Sequence, residues 1–358
     1  MRILHVITSL NTGGAEKLMV DILPRIREAG NETDLLVFDG KRTPFRKELE
    51  NQGIRIIDCG EGRSVYNPLN IIAIRRLIKD YDVVHTHNTS PQFFAVIASL
   101  GKKVKLVTTE HNTSNRRRNL RWFAAVDKWM YNHYDRIICI SDKAEENLKG
   151  YINLDKGNII TIHNGVDVSK FYNASPSKDL RVGLRDEAKI IIMVAAFRHQ
   201  KNQDCLIKAM DCLPDKYHLF LVGEGERKQD CEKLAQSQKS SDRIHFLGRR
   251  GDIAELLKAS DFVVLSSHYE GLSLSSIEGM AAGKPFIASD VDGLHEIVWK
   301  YGVLFEDGDF EMLAGEIINL EEHQEVYKKV ATSCYERAKQ FDIEKMVKGY
   351  MNVYSKLL

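Results

Sequence analysis

The sequence predicts an α/β protein made of two doubly wound domains, each a parallel sheet with helices on both faces. Short β-branched, apolar segments recur along the chain, and amphipathic segments with apolar residues three or four positions apart lie between several of them. Strands that alternate with helices form parallel sheets. At 358 residues the chain also exceeds the size at which a single hydrophobic core usually stops growing. Two domains are therefore expected.

The first half carries six candidate strands. In chain order they read RILHVIT, TDLLVF, IRIID, DVVHTH, VKLVTT and DRIICI. The segment AEKLMVDILPRIREAG, after the first of them, has apolar residues at helical spacing and Gly30 as a candidate C-cap. The pattern predicts a Rossmann-like domain over residues 1–165.

The second half repeats the style with KIIIMVAA, YHLFLVG, RIHFLG, DFVVLSS, KPFIAS and GVLFE. A polar, loop-like stretch at 164–179 separates it from the first half, so a second Rossmann-like domain is predicted over 166–340. Residues 341–358 have apolar positions at helical spacing, which predicts a docking helix. The two domains are expected to face a central cleft at the carboxyl ends of their strands, where such sheets bind ligands.

Composition is that of an ordinary globular protein, with 43% hydrophobic and 28% charged residues and a net charge of +1. This near-neutrality argues against nucleic-acid binding. The charge is unevenly distributed: residues 1–165 hold 25 Lys and Arg against 19 Asp and Glu, and the remainder holds 26 against 31. The first half is therefore predicted to meet an anionic partner, such as a phospholipid surface or an acidic acceptor.

Six scattered cysteines without a C-x-x-C pair predict reduced thiols and no zinc site. The first residues lack the long apolar core of a signal peptide, and no run of apolar residues reaches the length of a membrane span. A cytoplasmic protein is expected, with at most peripheral contact on the inner face of the membrane.

A glycine pair opens the first helix. In ITSLNTGGAEK, Gly13 and Gly14 allow close backbone approach to a ligand, and the N–H groups of a helix start favour a phosphate. A tight strand-to-helix turn is the alternative. Asp39 resembles the ribose-binding acid of dinucleotide sites, but the G-x-G-x-x-G pattern is absent.

Histidines follow two other strands of this half. HTHNTS holds His85 and His87, and TTEHNTS holds Glu110 and His111. A metal site would need a third ligand and an open position, neither of which the spacing supplies, so polar contact with a substrate is preferred and His111 is the best candidate. The next loop, SNRRRNLRWFAA, predicts contact with anionic lipid through Arg116, Arg117, Arg118, Arg121 and Trp122, or a solvated helix face.

In the second half, cations and carboxylates follow strands. Arg198 and Lys201 come after KIIIMVAA, where they suit a diphosphate, although a surface turn is the alternative. Glu270 and Glu278 flank the start of a helix, so a ligand across that helix start can meet both carboxylates and the N–H groups of Leu272, Ser273 and Leu274. Two carboxylates suit a polyhydroxylated ligand. Two unrelated acids, one of them facing solvent, are the alternative.

Taken together, the motifs GGAE, EHN, NGVD, QKN, LVGEGE and HYEGLSLSSIEGMAAGKPFIASD resemble those of the retaining glycosyltransferases of family 4, over essentially the whole chain. The resemblance implies the GT-B fold, with an acceptor-side first domain, a second domain that holds a nucleotide-sugar donor, and a final helix crossing back to the first domain. It implies transfer of a hexose or N-acetylhexosamine, with a UDP-sugar favoured, to a glycan or lipid-linked saccharide in cell-surface polysaccharide biosynthesis (capsule, O-antigen or lipopolysaccharide).

The resemblance also implies roles for single residues. Glu270 would hold donor-sugar hydroxyls, Glu278 the ribose, and the segment Gly271 to Leu274 the sugar and phosphate. Lys201 and Gly14, beside Gly13, would meet the diphosphate, and His111 the donor sugar; His111, Lys201 and Glu270 form the catalytic set. The family usually carries an arginine where this chain has Ala196, so Arg198 is expected to serve instead.

The mechanism that the resemblance implies is a front-face transfer with retention and without a metal or other cofactor. The sequence Asp290 to Asp292 resembles a metal-binding Asp-x-Asp but falls in a loop after KPFIAS, where metal binding is not expected. Other functions remain open: a nucleotide-sugar 2-epimerase of the same fold, a catalytically silent nucleotide-sugar-binding protein and, least favoured, a dehydrogenase.

Overall fold

The computed structural model describes residues 1–11, 13–111, 121–152 and 157–358, with the side chains of residues 121 and 122 left out. The chain divides into two compact units. The N-terminal unit comprises Met1–Asn164 together with Ile343–Leu358, and the C-terminal unit comprises Gly165–Asp342.

Each unit is built on one parallel sheet. The strands are β1 Arg2–Ile7, β2 Glu32–Val37, β3 Arg55–Asp58, β4 Val83–His87, β5 Lys105–Glu110, β6 Arg136–Cys139, β7 Ile159–Thr161, β8 Lys189–Val194, β9 Tyr217–Val222, β10 Ile244–Gly248, β11 Phe262–Leu265, β12 Phe286–Ser289 and β13 Val303–Phe305. Their order is β3-β2-β1-β4-β5-β6-β7 in the N-terminal unit and β10-β9-β8-β11-β12-β13 in the C-terminal unit. The direction of winding therefore reverses between β1 and β4 and between β8 and β11, where doubly wound sheets bind ligands.

Helices connect the strands. They are α1 Gly14–Glu28, α2 Pro44–Asn51, α3 Leu69–Leu77, α4 Thr89–Ser99, α5 Arg121–Asn132, α6 Asp142–Ile152, α7 Val168–Tyr172, α8 Gln203–Ala209, α9 Lys228–Gln236, α10 Ile253–Ala259, α11 Leu274–Ala281, α12 His295–Val298, α13 Phe310–Glu322, α14 Gln324–Ala338 and α15 Ile343–Leu357.

The sheet of the N-terminal unit has an apolar core on each face. On one face, α1 and α15 cover residues such as Ile3 and Val83; on the other, Phe94 of α4 and Met130 of α5 pack near Val84. The strands read as near-continuous apolar runs because both of their faces are buried. This confirms the predicted fold class of two doubly wound, Rossmann-like parallel sheets.

The last helix, α15, belongs to the N-terminal unit although it follows the C-terminal unit in sequence. One apolar face of α15 is buried against the sheet. It consists of Ile343, Met346, Val347, Tyr350, Val353 and Tyr354. An ion pair between Arg25 Nε and Glu344 Oε1, at 2.8 Å, joins α1 to the start of α15. The N-terminal fold is therefore complete only once the C-terminus has been made.

One strand of the N-terminal sheet differs from the sequence prediction. The strand β7 was not among the six predicted for the first half, because three residues are too few to show a pattern. All six cysteines are free thiols. Across the parts of the chain that the structure describes, the helices are all too short or too polar to span a bilayer.

Candidate functional site

The switch point of the C-terminal sheet brings two predicted residues together. Lys201 follows β8 and Glu270 follows β11, and these strands are parallel neighbours. Their carboxyl ends therefore lie side by side, and the Lys201 ammonium forms an ion pair with Glu270 Oε1 across 69 positions of sequence. The two charges predicted separately form one cluster.

The Glu270 carboxylate is almost enclosed, with 5% of its side chain exposed against 15% for Lys201. Besides Lys201, its Oε1 accepts a hydrogen bond from Ser267 Oγ at 2.6 Å, and its Oε2 accepts one from Gln200 Nε2 at 3.4 Å. Burial of a carboxylate is costly unless it is paired and hydrogen-bonded. These three donors, from two loops, meet that requirement.

Hydrogen bonds to backbone carbonyls join the loops after β8 and β11. His268 N donates to the Gln200 carbonyl at 2.8 Å, and Gln200 Nε2 donates to the Tyr269 carbonyl at 2.8 Å. Ser266 Oγ donates to the carbonyl of Asn202 at 2.8 Å. Asn202 itself has a left-handed backbone, with φ of 47°, which asparagine tolerates better than most residues. Lys201 is thus held at a defined turn.

A third loop, after β12, supports Glu270 from behind. Glu270 N donates to the Asp292 carbonyl at 3.1 Å. Gly293 follows with φ of 86°, and a Cβ at this position would overlap the Glu270 carbonyl and lie 2.6 Å from the Gly271 carbonyl oxygen. Only glycine allows this close approach. Gly293 has no signal in the sequence, because its role depends on a loop more than twenty positions away.

The acidic pair of the same loop has other partners. Asp290 Oδ1 lies 2.6 Å from His295 Nδ1, and Asp292 contributes its backbone carbonyl to Glu270. The Asp290 carboxylate is therefore paired with the first residue of α12.

The helix α11 begins directly after the Glu270 loop. Ser273 precedes its first residue, with extended backbone and no side-chain cap, and its carbonyl accepts from Ser276 Oγ at 2.7 Å. The N–H groups of a first helical turn have no partner inside the helix, which makes this end suited to an anion. Glu278 lies one turn further along and is half-buried, while Ile277 and Met280 are buried in the core.

Arg198 is exposed and forms no ion pair with any residue that the structure describes. It precedes Lys201 in the same loop, whose turn is closed by a hydrogen bond from Lys201 N to the Arg198 carbonyl at 2.9 Å. The neighbouring Ala196 carbonyl accepts from Gln203 Nε2 at 3.0 Å. The guanidinium is therefore available for an anion, whereas residue 196 contributes backbone only.

In the N-terminal unit, the glycine pair stands at the start of α1. Gly14 is exposed and has open space where a Cβ would be, whereas a Cβ on Gly13 would overlap the Glu16 carboxylate. Burial raises the pKa of Glu16 above its usual value. Of the two glycines, Gly14 leaves more room for a ligand.

The predicted histidines of this unit, His85, His87 and His111, lie in a cluster with a fourth histidine, His5, that was not among the predicted site residues. His5, His85 and His87 are each fully buried, so His85 and His87 do not offer the direct substrate contact expected from a strand end. Only His111, at the end of β5, is partly exposed. The signal for His5 was a histidine inside the apolar strand RILHVI.

The ring nitrogens of His5, His85 and His87 include one from each residue within 4.8 Å of one another, a spacing at which three imidazoles could hold a metal ion. However, both nitrogens of His85 are engaged: Nδ1 lies 2.5 Å from Tyr354 Oη and Nε2 lies 2.8 Å from Thr109 Oγ1. A metal would have to displace one of these hydroxyls.

The lipid contact was predicted for the segment that follows β5. Arg116, Arg117 and Arg118 lie outside the described residues, as do the side chains of Arg121 and Trp122.

Comparison with known proteins agrees with this architecture. The family model described as Glycosyltransferase Family 4 matches residues 12–170, and the model Glycosyl transferases group 1 matches residues 177–341. Among solved structures, Anabaena HepE in complex with UDP and glucose superposes with a TM-score of 0.86 at 22% identity, covering 99% of this chain and 100% of that chain. That likeness shows a GT-B fold.

Two sequence relatives extend the comparison. EpsD of Bacillus subtilis (strain 168), a glycosyltransferase by name, is 30% identical over 315 residues, which cover 82% of either chain. UDP-Gal:alpha-D-GlcNAc-diphosphoundecaprenol alpha-1,3-galactosyltransferase of Escherichia coli is 28% identical over 305 residues, covering 80% of this chain and 78% of that one. With both family models matched in order along the sequence, the chain belongs to glycosyltransferase family 4, the group 1 glycosyltransferases.

Proposed function

We propose that the protein transfers a hexose or N-acetylhexosamine, with retention of anomeric configuration, from a nucleotide-diphosphate sugar to a glycan or lipid-linked saccharide. The observation that carries this proposal is the enclosed cluster of Lys201, Glu270, Ser267 and Gln200 at the switch point of the C-terminal sheet. It sets a cation, a carboxylate and a helix start side by side, which are the groups that a sugar diphosphate requires.

In this proposal the two charges change partners when the donor binds. Lys201 and Glu270 neutralise each other, so the diphosphate competes with the carboxylate for the ammonium, and sugar hydroxyls then donate to Glu270. Arg198, exposed in the same loop, supplies a second cation and replaces the arginine that the family usually has at the position of Ala196. Backbone N–H groups of Gly271 to Leu274 face the phosphate, and Glu278 accepts from the ribose.

The proposed chemistry uses no covalent enzyme intermediate and no metal or other cofactor. The departing diphosphate oxygen takes the proton of the acceptor hydroxyl on the same face of the sugar, while Lys201 and Arg198 stabilise the charge that develops on it. Preorganised cations that face a charge developing in the transition state supply a large part of the rate enhancement of many enzymes. Gly13, Gly14 and His111 of the N-terminal unit are proposed as further donor contacts.

The name of the Escherichia coli relative supports a UDP-sugar and a diphospholipid-linked acceptor, and UDP and glucose are bound in the HepE structure. We therefore propose a UDP-sugar donor and a role in cell-surface polysaccharide biosynthesis. The excess of basic residues in the first half supports peripheral membrane contact, in which Arg116, Arg117, Arg118, Arg121 and Trp122 are the candidates.

The test begins with ligand-induced thermal stabilisation by UDP-, GDP- and ADP-sugars, since a ligand of the native state raises its apparent stability. The best donor is then incubated with a diphospholipid-linked saccharide, and the anomeric configuration of the product is read by NMR. Retention is expected. Inversion would exclude the mechanism, and donor turnover without any acceptor would indicate an epimerase instead.

Variants of the cluster test the site. We expect Lys201→Ala and Glu270→Ala each to lower kcat by about 10²-fold or more, the usual cost of one preorganised electrostatic group. Lys216→Ala is the matched control: Lys216 forms a 3.0 Å ion pair with Glu321 in the same unit, but it precedes β9 and lies at the opposite end of the sheet. Full activity in both cluster variants would refute the assignment.

A further inference from the structure

Three imidazoles form a continuous hydrogen-bonded line through the N-terminal unit. His5 Nδ1 lies 3.1 Å from His87 Nε2, and His87 Nδ1 lies 3.0 Å from His111 Nε2. We call these three residues the imidazole line. His5 and His87 are fully buried and His111 is partly exposed, so the line runs from the core of the unit to its surface.

The sheet holds these rings in place. His5 lies on β1 and pairs in register with His85 on β4, and His87 lies two positions further along β4 on the same face. His87 pairs in register with Thr109 on β5, and His111 lies two positions beyond Thr109. The strands β1 and β4 and the residue that follows β5 thus supply one ring each, at the switch point between β1 and β4.

The rings of the line are neutral. Burial lowers the pKa of His5 to about 3, that of His111 to about 4, and that of His87 well below its ordinary value. A neutral imidazole has one N–H donor and one acceptor nitrogen. Each contact in the line needs one donor and one acceptor, so a choice of tautomer at one ring decides the tautomers of the others.

The inner end of the line decides that choice. His5 Nε2 is buried and has no hydrogen-bond partner among the described residues. If it carried the proton, an N–H donor would be left unpaired in the core, which is rarer in proteins than an unpaired acceptor. The proton therefore belongs on His5 Nδ1, which donates to His87; His87 Nδ1 then donates to His111 Nε2.

We infer that His5 and His87 are positioning residues that fix His111 as a hydrogen-bond donor, with its proton on Nδ1. A hydroxyl or phosphate oxygen is the matching ligand group, because both accept. This inference rests on the donor contact proposed for His111 above. His85 takes no part, because its nitrogens contact Tyr354 and Thr109 instead.

The first experiment reads the tautomers directly, by long-range ¹⁵N–¹H NMR of the histidine rings in the full-length protein at pH 7. The expected result is Nδ1 protonated and Nε2 unprotonated in His5, His87 and His111. The opposite pattern, or a stoichiometric metal ion on these nitrogens in the purified protein, would overturn the inference. Neither readout depends on glycosyl transfer, so this experiment tests the inference independently of the proposed function.

The second experiment breaks the line at its buried end. In His5→Leu, His87 Nε2 loses its donor, so we expect His111 to become a mixture of tautomers. We expect kcat/KM to fall about five- to tenfold, which corresponds to the free energy of one hydrogen bond. His5→Asn keeps an N–H donor near the position of Nδ1 and is expected to restore both the Nδ1 signal of His111 and activity to within about twofold.

The matched control is Tyr354→Phe, which removes a buried hydroxyl from His85 beside the line but leaves the line intact. We expect a loss of stability without a change of tautomer at His111. An unchanged His111 signal in His5→Leu, or an equal change in Tyr354→Phe, would overturn the inference. Absence of transfer in the wild type would refute the proposed function alone.

Discussion

Gly293 allows a direct test of how closely the Glu270 loop is held. A methyl group at this position would lie 2.6 Å from the Gly271 carbonyl oxygen and would overlap the Glu270 carbonyl. Non-bonded carbon and oxygen atoms normally stay about 3.3–3.6 Å apart. Gly293→Ala therefore requires the segment of Glu270 and Gly271 to move by roughly 1 Å, away from the loop after β12.

Two effects of this change can be separated. An alanine with φ near 86° costs about 1–2 kcal/mol of backbone strain, wherever it occurs. The overlap adds about 1–3 kcal/mol of the kind seen on overpacking a core. A shift of about 1 Å in groups that position a substrate can lower the rate by about 10²-fold. Stability is thus expected to fall moderately and transfer severely.

Gly183→Ala is the matched control, because Gly183 lies in the same unit with φ of 79°. Apart from its chain neighbours, no atom lies within 4 Å of the position that an alanine Cβ would take there. It carries the strain without the overlap. Both variants are compared by urea unfolding and by kcat/KM for transfer. If Gly293→Ala transferred sugar within about threefold of Gly183→Ala, the argument that this glycine positions Glu270 would be refuted.

Two further predictions concern the N-terminal unit. Burial lowers the pKa of His5 to about 3 and that of His111 to about 4. Below about pH 6.5 the unfolded chain therefore binds protons that the folded chain excludes. The stabilisation is complete above that pH and is lost as the pH falls toward 4, and His5 alone contributes a slope of about 1.4 kcal/mol per pH unit. Urea unfolding at pH 7, 6 and 5 measures this, and a midpoint independent of pH would contradict it. Met346→Ala, at a buried position of α15, is expected to cost about 2–5 kcal/mol in the same assay, whereas Met312→Ala, 40% exposed on α13, changes stability by about 0.5 kcal/mol or less; equal losses would contradict the packing of α15.

The fold was predictable because its signals are local. Apolar strands buried on both faces and helices with one apolar stripe are visible in windows of a few residues, and their alternation implies a parallel sheet. The strand β7 escaped because three residues carry no periodicity. The burial of Tyr350 and Tyr354 in the N-terminal unit, by contrast, brings together segments that the whole of the second unit separates in sequence.

The candidate site was predictable only in part. Glu270 and Lys201 stand in recognisable motifs, and each has chemistry that suggests a ligand. Ser267, Gln200 and Gly293 have no such signal, since a hydroxyl, an amide and a glycine are common in loops and acquire a role only through the atoms they meet. His111 was identified at a strand end, whereas His5 was hidden inside a strand.

By itself, the sequence determined most of the strands and helices, the polar boundary between the two domains, and the motif residues such as Lys201 and Glu270 that carry charge or chemistry. The tertiary structure decided which strand ends are neighbours. Lys201 meets Glu270 because β8 and β11 are adjacent, and His5 meets His87 because β1 lies beside β4. The physical reason is that strand pairing is non-local: the order of a parallel sheet follows from crossovers and shared core packing, which no short segment encodes.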